Sequence, residues 1–409
     1  IYGFDIDLVL ASAQSAGYGR VGPNVSYLVV SESLQLPMER RTFLAGAILL
    51  PLLGAAGCQP QISELTVYLL DRSVPLRLIN GFRQRHQSQT LKFEAQSSLV
   101  ELYQRLQAFS ISTEAMSPNW LTLGDYWLAG AIRQNLIAPL QAQDWQSWQE
   151  LHPIWRQLVT RNGGGKIDGA GNIWGIPYRW GSLMMVYNPA HWQGLSWRPS
   201  RWQDLLRSHP SDPDKSPLTG KIALPNHPRI VTAIALKILG ASANPADLEV
   251  ISDLLPTLES LHQQVRFYSS NHYLEPLLLG DISLAVGWST DILPVMQQYR
   301  RFEAVVPEEG TILSADVWVR PNQASDAEIS QIAQDWVNYC LSPEVAAEFA
   351  IFSQGASPRF WQDSTLATDY PLVALSPEVQ RLSEFLLPLK SGTQAQLQQL
   401  WQALQTAAA

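Results

Sequence analysis

Cysteine is nearly absent from this 409-residue chain, which has only Cys58 and Cys340. Two cysteines supply no disulfide framework, so stability has to come from a packed core. Cys340, inside Trp-Val-Asn-Tyr-Cys-Leu, reads as a small buried hydrophobe. Charge is also scarce: 16% of residues are charged, the net charge is −8, and no long basic run occurs. That excludes nucleic acid as a partner, because its binders need a basic surface to displace counterions. The constellations of catalysis are missing too. Seven histidines, at 86, 152, 191, 209, 227, 262 and 272, show no H-E-x-x-H or other metal-ligand spacing. There is no C-x-x-C, and Gly181-Ser182 lacks the G-x-S-x-G elbow of a hydrolase. No metal, no cofactor and no catalytic set is expected, and the chain reads as a non-enzyme. Glu308-Glu309 invites comparison with the acid pair of a glycoside hydrolase, but adjacent residues do not ordinarily face one another across a substrate, so a turn is expected. A membrane-anchored hydrolase is the weakest alternative.

What is present is apolar. Hydrophobic residues make up 46% of the chain, the composition of a core-forming protein rather than a disordered one. About 350 residues follow Cys58, enough for two domains of ordinary size. Tryptophan is abundant, with 15 residues and a cluster over 174–202. Its flat faces suit a ligand cleft, although filling cores and interfaces is its commoner use.

The N-terminal part carries an address. Arg40 and Arg41 precede an uncharged run over 42–57, and Ala55, Ala56 and Gly57 lead into Cys58. This is the pattern of an export signal. Its 16 uncharged residues fall short of the roughly 20 that a membrane-spanning helix needs. The small-small-Gly-Cys ending resembles a bacterial lipobox, which makes Cys58 the expected lipidated residue, and Arg-Arg-Thr-Phe-Leu over 40–44 resembles a twin-arginine signal. An ordinary secretion signal is the other reading of the arginines. Residues 1–37 are accordingly read as an upstream extension, 38–57 as the signal, and 58–64 as the lipidated cysteine and its tether.

Beyond the tether, strand and helix patterns alternate. Residues 65–70 are an apolar, β-branched run with the signature of a buried strand. Val74-Pro75 opens a helix with Leu76, Ile79 and Phe82 on one face, 90–95 is a second strand, and Leu99, Leu102, Tyr103 and Leu106 have helical spacing. Residues 120–123 form a third strand before a helix opening at Gly124-Asp125. This alternation predicts a parallel sheet covered by helices, with ligands at the carboxyl ends of the strands. The glycine-rich stretch 162–172 lacks phosphate-loop spacing and reads as a tight turn or hairpin. Residues 182–187 and 282–288 read as strands, 210–217 as a surface loop, 231–239 as a buried helix, and 335–351 as a helix broken near Pro343.

Ile176-Pro-Tyr-Arg-Trp-Gly-Ser182 is followed by Val186-Tyr-Asn188, then Trp202-x-Asp204-Leu205, then Gly280-Asp281 with Leu284 and Trp288. Val306-Pro-Glu-Glu-Gly310 follows with Asp316 and Pro321. This ordered set resembles the bacterial spermidine/putrescine-binding proteins, the extracellular solute receptors of ABC importers. The resemblance runs from Leu65 through Leu341-Ser-Pro-Glu-Val345. It implies an α/β, two-lobe periplasmic-binding-protein fold of type II, each lobe a mostly parallel sheet flanked by helices, joined by a hinge. Lobe 1 would take residues 65–174, lobe 2 residues 175–305, and 306–409 would return to lobe 1 and add the C-terminal helices. The crossings would lie near Gly175 and over 306–316. The implied partners are a small-molecule ligand, with a polyamine preferred, the permease subunits of the importer, and the membrane through the anchor on Cys58, with the protein a periplasmic or otherwise extracytoplasmic monomer.

A polyamine receptor needs carboxylates for the ammonium groups and aromatic faces for the spacer. By motif position the resemblance assigns Tyr126, Trp288 and Asp316 to the ligand, with Asp71, Ser73 and Trp180 also in the expected site. The chain departs from the family's pattern at Arg72 and Ser73, at His227 and Ile230 with Arg229 alongside, and at Ser314, and Arg179 adds a cation. Asp71, Asp125, Glu275 and Asp291 are the carboxylates that would compensate. The departures leave open a different polyamine, a less charged molecule such as an amino acid or sugar, or an organic anion.

Overall fold

The computed structural model describes residues 64–111, 117–207, 218–324 and 329–407. The expected extension, export signal, Cys58 and the 210–217 loop lie outside the described residues. Strand β1 (Glu64–Leu70) buries Leu65, Val67 and Leu69 on one face. Helix α1 (Leu76–Arg85) follows Pro75, and its buried stripe is Leu78, Ile79 and Phe82. Leu76, expected on that stripe, is the first residue of the helix and is 66% exposed, and Leu78 takes the buried place in the first turn beside Ile79. Strand β2 (Thr90–Gln96) lies at the sheet edge, where exposed Lys92 and Glu94 discourage further pairing. Helix α2 (Leu99–Ile111) buries Leu102, Tyr103, Leu106 and Phe109, and leads to the fully buried β3 (Trp120–Gly124). The glycine-rich segment does form a hairpin, with Thr160–Arg161 antiparallel to Asn172–Ile173.

The next strand, β4 (Ile176–Tyr187), is twelve residues long and buried throughout, longer than the 182–187 run suggested. It is followed by β5 (Ile222–Leu224), the almost wholly buried α3 (Pro228–Ile238), α4 (Leu254–Gln264) and β6 (Val265–Tyr268). Then come β7 (Leu284–Trp288), α5 (Ser289–Gln298) and the second long strand, β8 (Ile312–Pro321). The helix expected over 335–351 is two, α6 (Gln331–Cys340) and α7 (Pro343–Phe352). Pro343 starts the second, where its missing N–H is harmless.

The strand order is β2-β1-β3-β8-β4-β7-β5-β6. On one side β2, β1 and β3 are parallel, and on the other β7, β5 and β6 are parallel. Between them β8 and β4 pair antiparallel to each other and to the flanking β3 and β7. The parallel arrangement thus holds in each outer set and gives way at the centre, where two chain crossings run in opposite directions.

One large core surrounds α3 and combines Leu183, Trp192, Trp202, Ile234, Leu258 and Leu284 with Leu397 and Trp401 of the C-terminal helix α8 (Ser391–Ala407). The C-terminal helix of segment 306–409 thus packs on the core around α3. Lys237 of α3 donates to the Leu382 carbonyl (2.8 Å) and pairs with Glu384 (2.6 Å), and the Leu248 N–H donates to Gln396 Oε1 (2.9 Å). The approach between this tail and the second crossing is tightest at Gly310. It has φ +85°, and a Cβ there would lie 2.2 Å from the Leu382 carbonyl oxygen. Gly310→Ala is expected to lower stability by about 2–4 kcal/mol, measured by urea denaturation, through left-handed strain and loss of that contact.

Candidate functional site

Strand register locates the site. Gly124, at the carboxyl end of β3, lies opposite Asp316 of β8, and Asp316 lies opposite Arg179 of β4. Trp288, at the carboxyl end of β7, lies opposite Leu183 of β4. The carboxyl ends of both parallel sets therefore converge on residues 179–183 and 314–316 of the central pair. A register irregularity between Asp316 and Val317 falls here, and such bulges re-aim side chains.

At the convergence Arg179 donates to Oδ2 of Asp316 from Nε (2.6 Å) and from Nη2 (2.5 Å). Both residues are buried, at 4% and 8% exposure. Burial works against the guanidinium charge, but Asp316, together with Tyr178 and Asp291, outweighs it and raises the Arg179 pKa. Gly355 backs the pair: a Cβ there would meet Arg179 Cγ and Cδ at 2.6 Å. Asp125 braces the same strand, accepting from the Ala315 N–H (2.8 Å) and Ser314 Oγ (3.1 Å). Burial pushes its pKa up to about 6 against the lowering effect of those donors.

Two further groups rim the site. Asp291, in the first turn of α5, accepts from the Tyr273 hydroxyl (3.0 Å). It remains open to solvent, yet dense surrounding protein strips its hydration and raises its pKa, as fits a carboxylate in a recess. Tyr273 lies flat on β7 because Gly287 has no side chain; a Cβ there would come within 2.3 Å of the ring. On the other side, Tyr126 stands edge-on to His227, with centroids 5.1 Å apart. Burial, assisted by Arg229, drives the His227 pKa down to about 4, so its imidazole is neutral at pH 7, and Nδ1 has no partner. Arg229 is 3% exposed and donates to Asn244 Oδ1 (2.9 Å), while its Nε has no partner. Burial lowers its pKa to about 10.

Of the residues expected from the sequence, Tyr126 and Trp288 are each half-buried against the core around α3, and Asp316 sits at the convergence. Trp180 does not join them. Strand alternation turns it away from Arg179 into the core, where it is 1% exposed against Trp155 and Trp361. Ser73 is fully buried, and its hydroxyl accepts from Tyr178 (3.0 Å). Asp71 is exposed at the end of β1, 3.5 Å from Arg72 Nε. Sequence reasoning missed Tyr273 and the role of Gly287. A loop tyrosine and a lone glycine in a strand have no spacing that joins them.

A profile of the family described as bacterial extracellular solute-binding protein matches residues 121–371. The chain belongs to this family. Among curated members it is 24% identical over 234 residues to the putrescine-binding periplasmic protein of Escherichia coli, covering 55% of this chain and 60% of that one. It is 27% identical over 179 residues to the spermidine/putrescine-binding periplasmic protein of the same organism, covering 44% and 48%. The matched stretch thus spans less than two thirds of these relatives. The fold is also that of the spermidine/putrescine substrate-binding protein of Streptococcus pneumoniae, with a TM-score of 0.69, 18% identity, and coverage of 84% of this chain and 98% of that one.

Two outcomes test this description of the solute-binding protein's centre. Arg179→Met leaves Asp316 as a buried, unpaired charge and is expected to cost about 3–5 kcal/mol in urea denaturation, whereas Arg179→Met with Asp316→Leu restores most of the loss. Asp125 has a folded pKa raised from 3.8 to about 6, so the native state binds the extra proton. Its contribution to stability is full below about pH 4 and is lost as pH rises through about 6, a change of roughly 3 kcal/mol. Asp125→Asn is expected to flatten stability over that window.

Proposed function

We propose that this solute-binding protein is the receptor component of an ABC importer that works outside the cytoplasm, held to the membrane through Cys58, and delivers a small amine-bearing solute to permease subunits. The observation that carries this reading is the convergence of the two parallel sets on the central strands, with Tyr126, Trp288 and Asp291 around the meeting point. In this reading, residues 65–174 with part of the return form one lobe, and 175–305 with α8 form the other. The central strands act as the hinge by which such receptors close on ligand. Aromatic faces at Tyr126 and Trp288 and the carboxylate of Asp291 suit an ammonium group on an alkyl spacer.

The polyamine class is supported by the relatives, which are putrescine- and spermidine-binding proteins. One observation favours a different solute: Arg179 already neutralises Asp316, the carboxylate that the resemblance assigns to a polyamine. Calorimetry and thermal shift against polyamines, amino acids, sugars and organic anions test both readings. A solute from this panel is expected to bind with micromolar affinity and raise the melting temperature, and Trp288→Ala is expected to weaken it at least tenfold. If no solute binds at millimolar concentration, the receptor reading fails.

A further inference from the structure

The charges around the convergence are not those of a site for two ammonium groups. Among the described residues around it, Asp316 is taken by Arg179 and Asp125 is 2% exposed beneath Ala315 and Ser314. Of the carboxylates described there, Asp291 is the one left open, with Tyr273 donating to one of its oxygens. A solute ammonium group therefore has one place to go.

The neighbouring strand end carries the opposite sign. β5 and β7 are parallel neighbours, so the chain leaves both at the same edge of the sheet, into α3 and α5 respectively. The first turn of α5 holds Asp291, whereas the first turn of α3 has no acidic residue and holds Arg229. Among the described residues Arg229 has no carboxylate within ion-pair distance, and its Nε is buried without a partner. Glu384 acts on Arg229 from beyond ion-pair distance but is itself paired with Lys237, so the buried guanidinium at the N-terminus of this eleven-residue helix still creates a positive potential that favours an anion. His227 beside it is uncharged and has an unpartnered Nδ1, and Tyr126 lies across from both. A second ammonium group placed here would meet repulsion and no acceptor carboxylate.

The geometry points to a zwitterionic solute, its ammonium group against Asp291 and Tyr273 and its carboxylate at the N-terminus of α3 beside His227 and Arg229, as in an ω-amino acid. This assignment rests on the receptor reading above and narrows its ligand. It makes Arg229 a specificity-determining residue, since its charge separates an amino acid from a diamine of the same length.

The test compares solutes matched in length by calorimetry on the purified protein: 4-aminobutanoate against putrescine, and 5-aminopentanoate against cadaverine. At least one ω-amino acid is expected to bind tenfold or more tightly than its matched diamine, and its methyl ester is expected to lose at least tenfold. Asp291→Asn weakens the amino acid, and Arg229→Gln weakens it while leaving or raising affinity for the diamine, with melting curves to confirm folding. If Arg229→Gln does not fold, the ester comparison on the unaltered protein decides. A diamine that binds as tightly as the amino acid, or an ester that binds as well as the acid, overturns this inference and leaves the receptor reading standing. Binding of only sugars or other uncharged solutes has the same consequence. No binding of any solute overturns the receptor reading itself.

Discussion

The antiparallel pairing of Ile312–Pro321 with Ile176–Tyr187 is the constraint on which the rest depends, because every other feature of the site is positioned by what hydrogen-bonds to these two strands. Their outer edges accept β3 and β7, and the polarity of those pairings decides that both parallel sets end at the same place. Burial of all twelve residues of β4 makes the pairing hard to break: its backbone groups have no water to turn to. The Arg179–Asp316 ion pair sits across this ladder and ties the two crossings by side chains as well as backbone.

Electrostatics at the centre follow from that placement. Asp316 is aimed inward at a register irregularity and meets the guanidinium directly opposite, so two charges that look independent in the sequence cancel in space. Arg229, by contrast, is buried with no carboxylate at ion-pair distance among the described residues, and burial lowers its pKa although Tyr126 and the Lys237-paired Glu384 act to raise it. Asp291 is exposed, and desolvation by the surrounding protein raises its pKa. A centre with one cation ion-paired, one without an ion pair and one exposed carboxylate differs in sign distribution from a pair of carboxylates flanking a diamine.

Local pattern carried most of the fold. The apolar run at 65–70, the spacing of Leu102, Tyr103 and Leu106, and the glycine-rich hairpin all appear where side-chain period and turn chemistry put them. Leu76 failed because the buried stripe enters the helix at Leu78 rather than at its first residue, and Leu76 and Leu78 lie about 200° apart around a helix. The site was less legible. Trp180 reads as a ligand platform beside Arg179, but adjacent residues on a strand face opposite ways, and Arg179 takes the side that meets Asp316. Ser73 reads as a departure in a binding loop, yet its hydroxyl is bonded to Tyr178, more than a hundred residues away in the chain.

The sequence by itself determined the class of protein: the ordered motifs from Ile176 to Pro321, the alternation of strands and helices, and a low-charge, cysteine-poor composition that rests on its core. These are local or compositional properties, fixed before any two distant segments meet. Only the tertiary structure decided which charges remain available to a ligand. Arg179 and Asp316 are 137 positions apart, and Tyr273 reaches Asp291 only because Gly287 lets its ring lie on the sheet. Charge cancellation falls steeply with distance in space and is blind to distance along the chain.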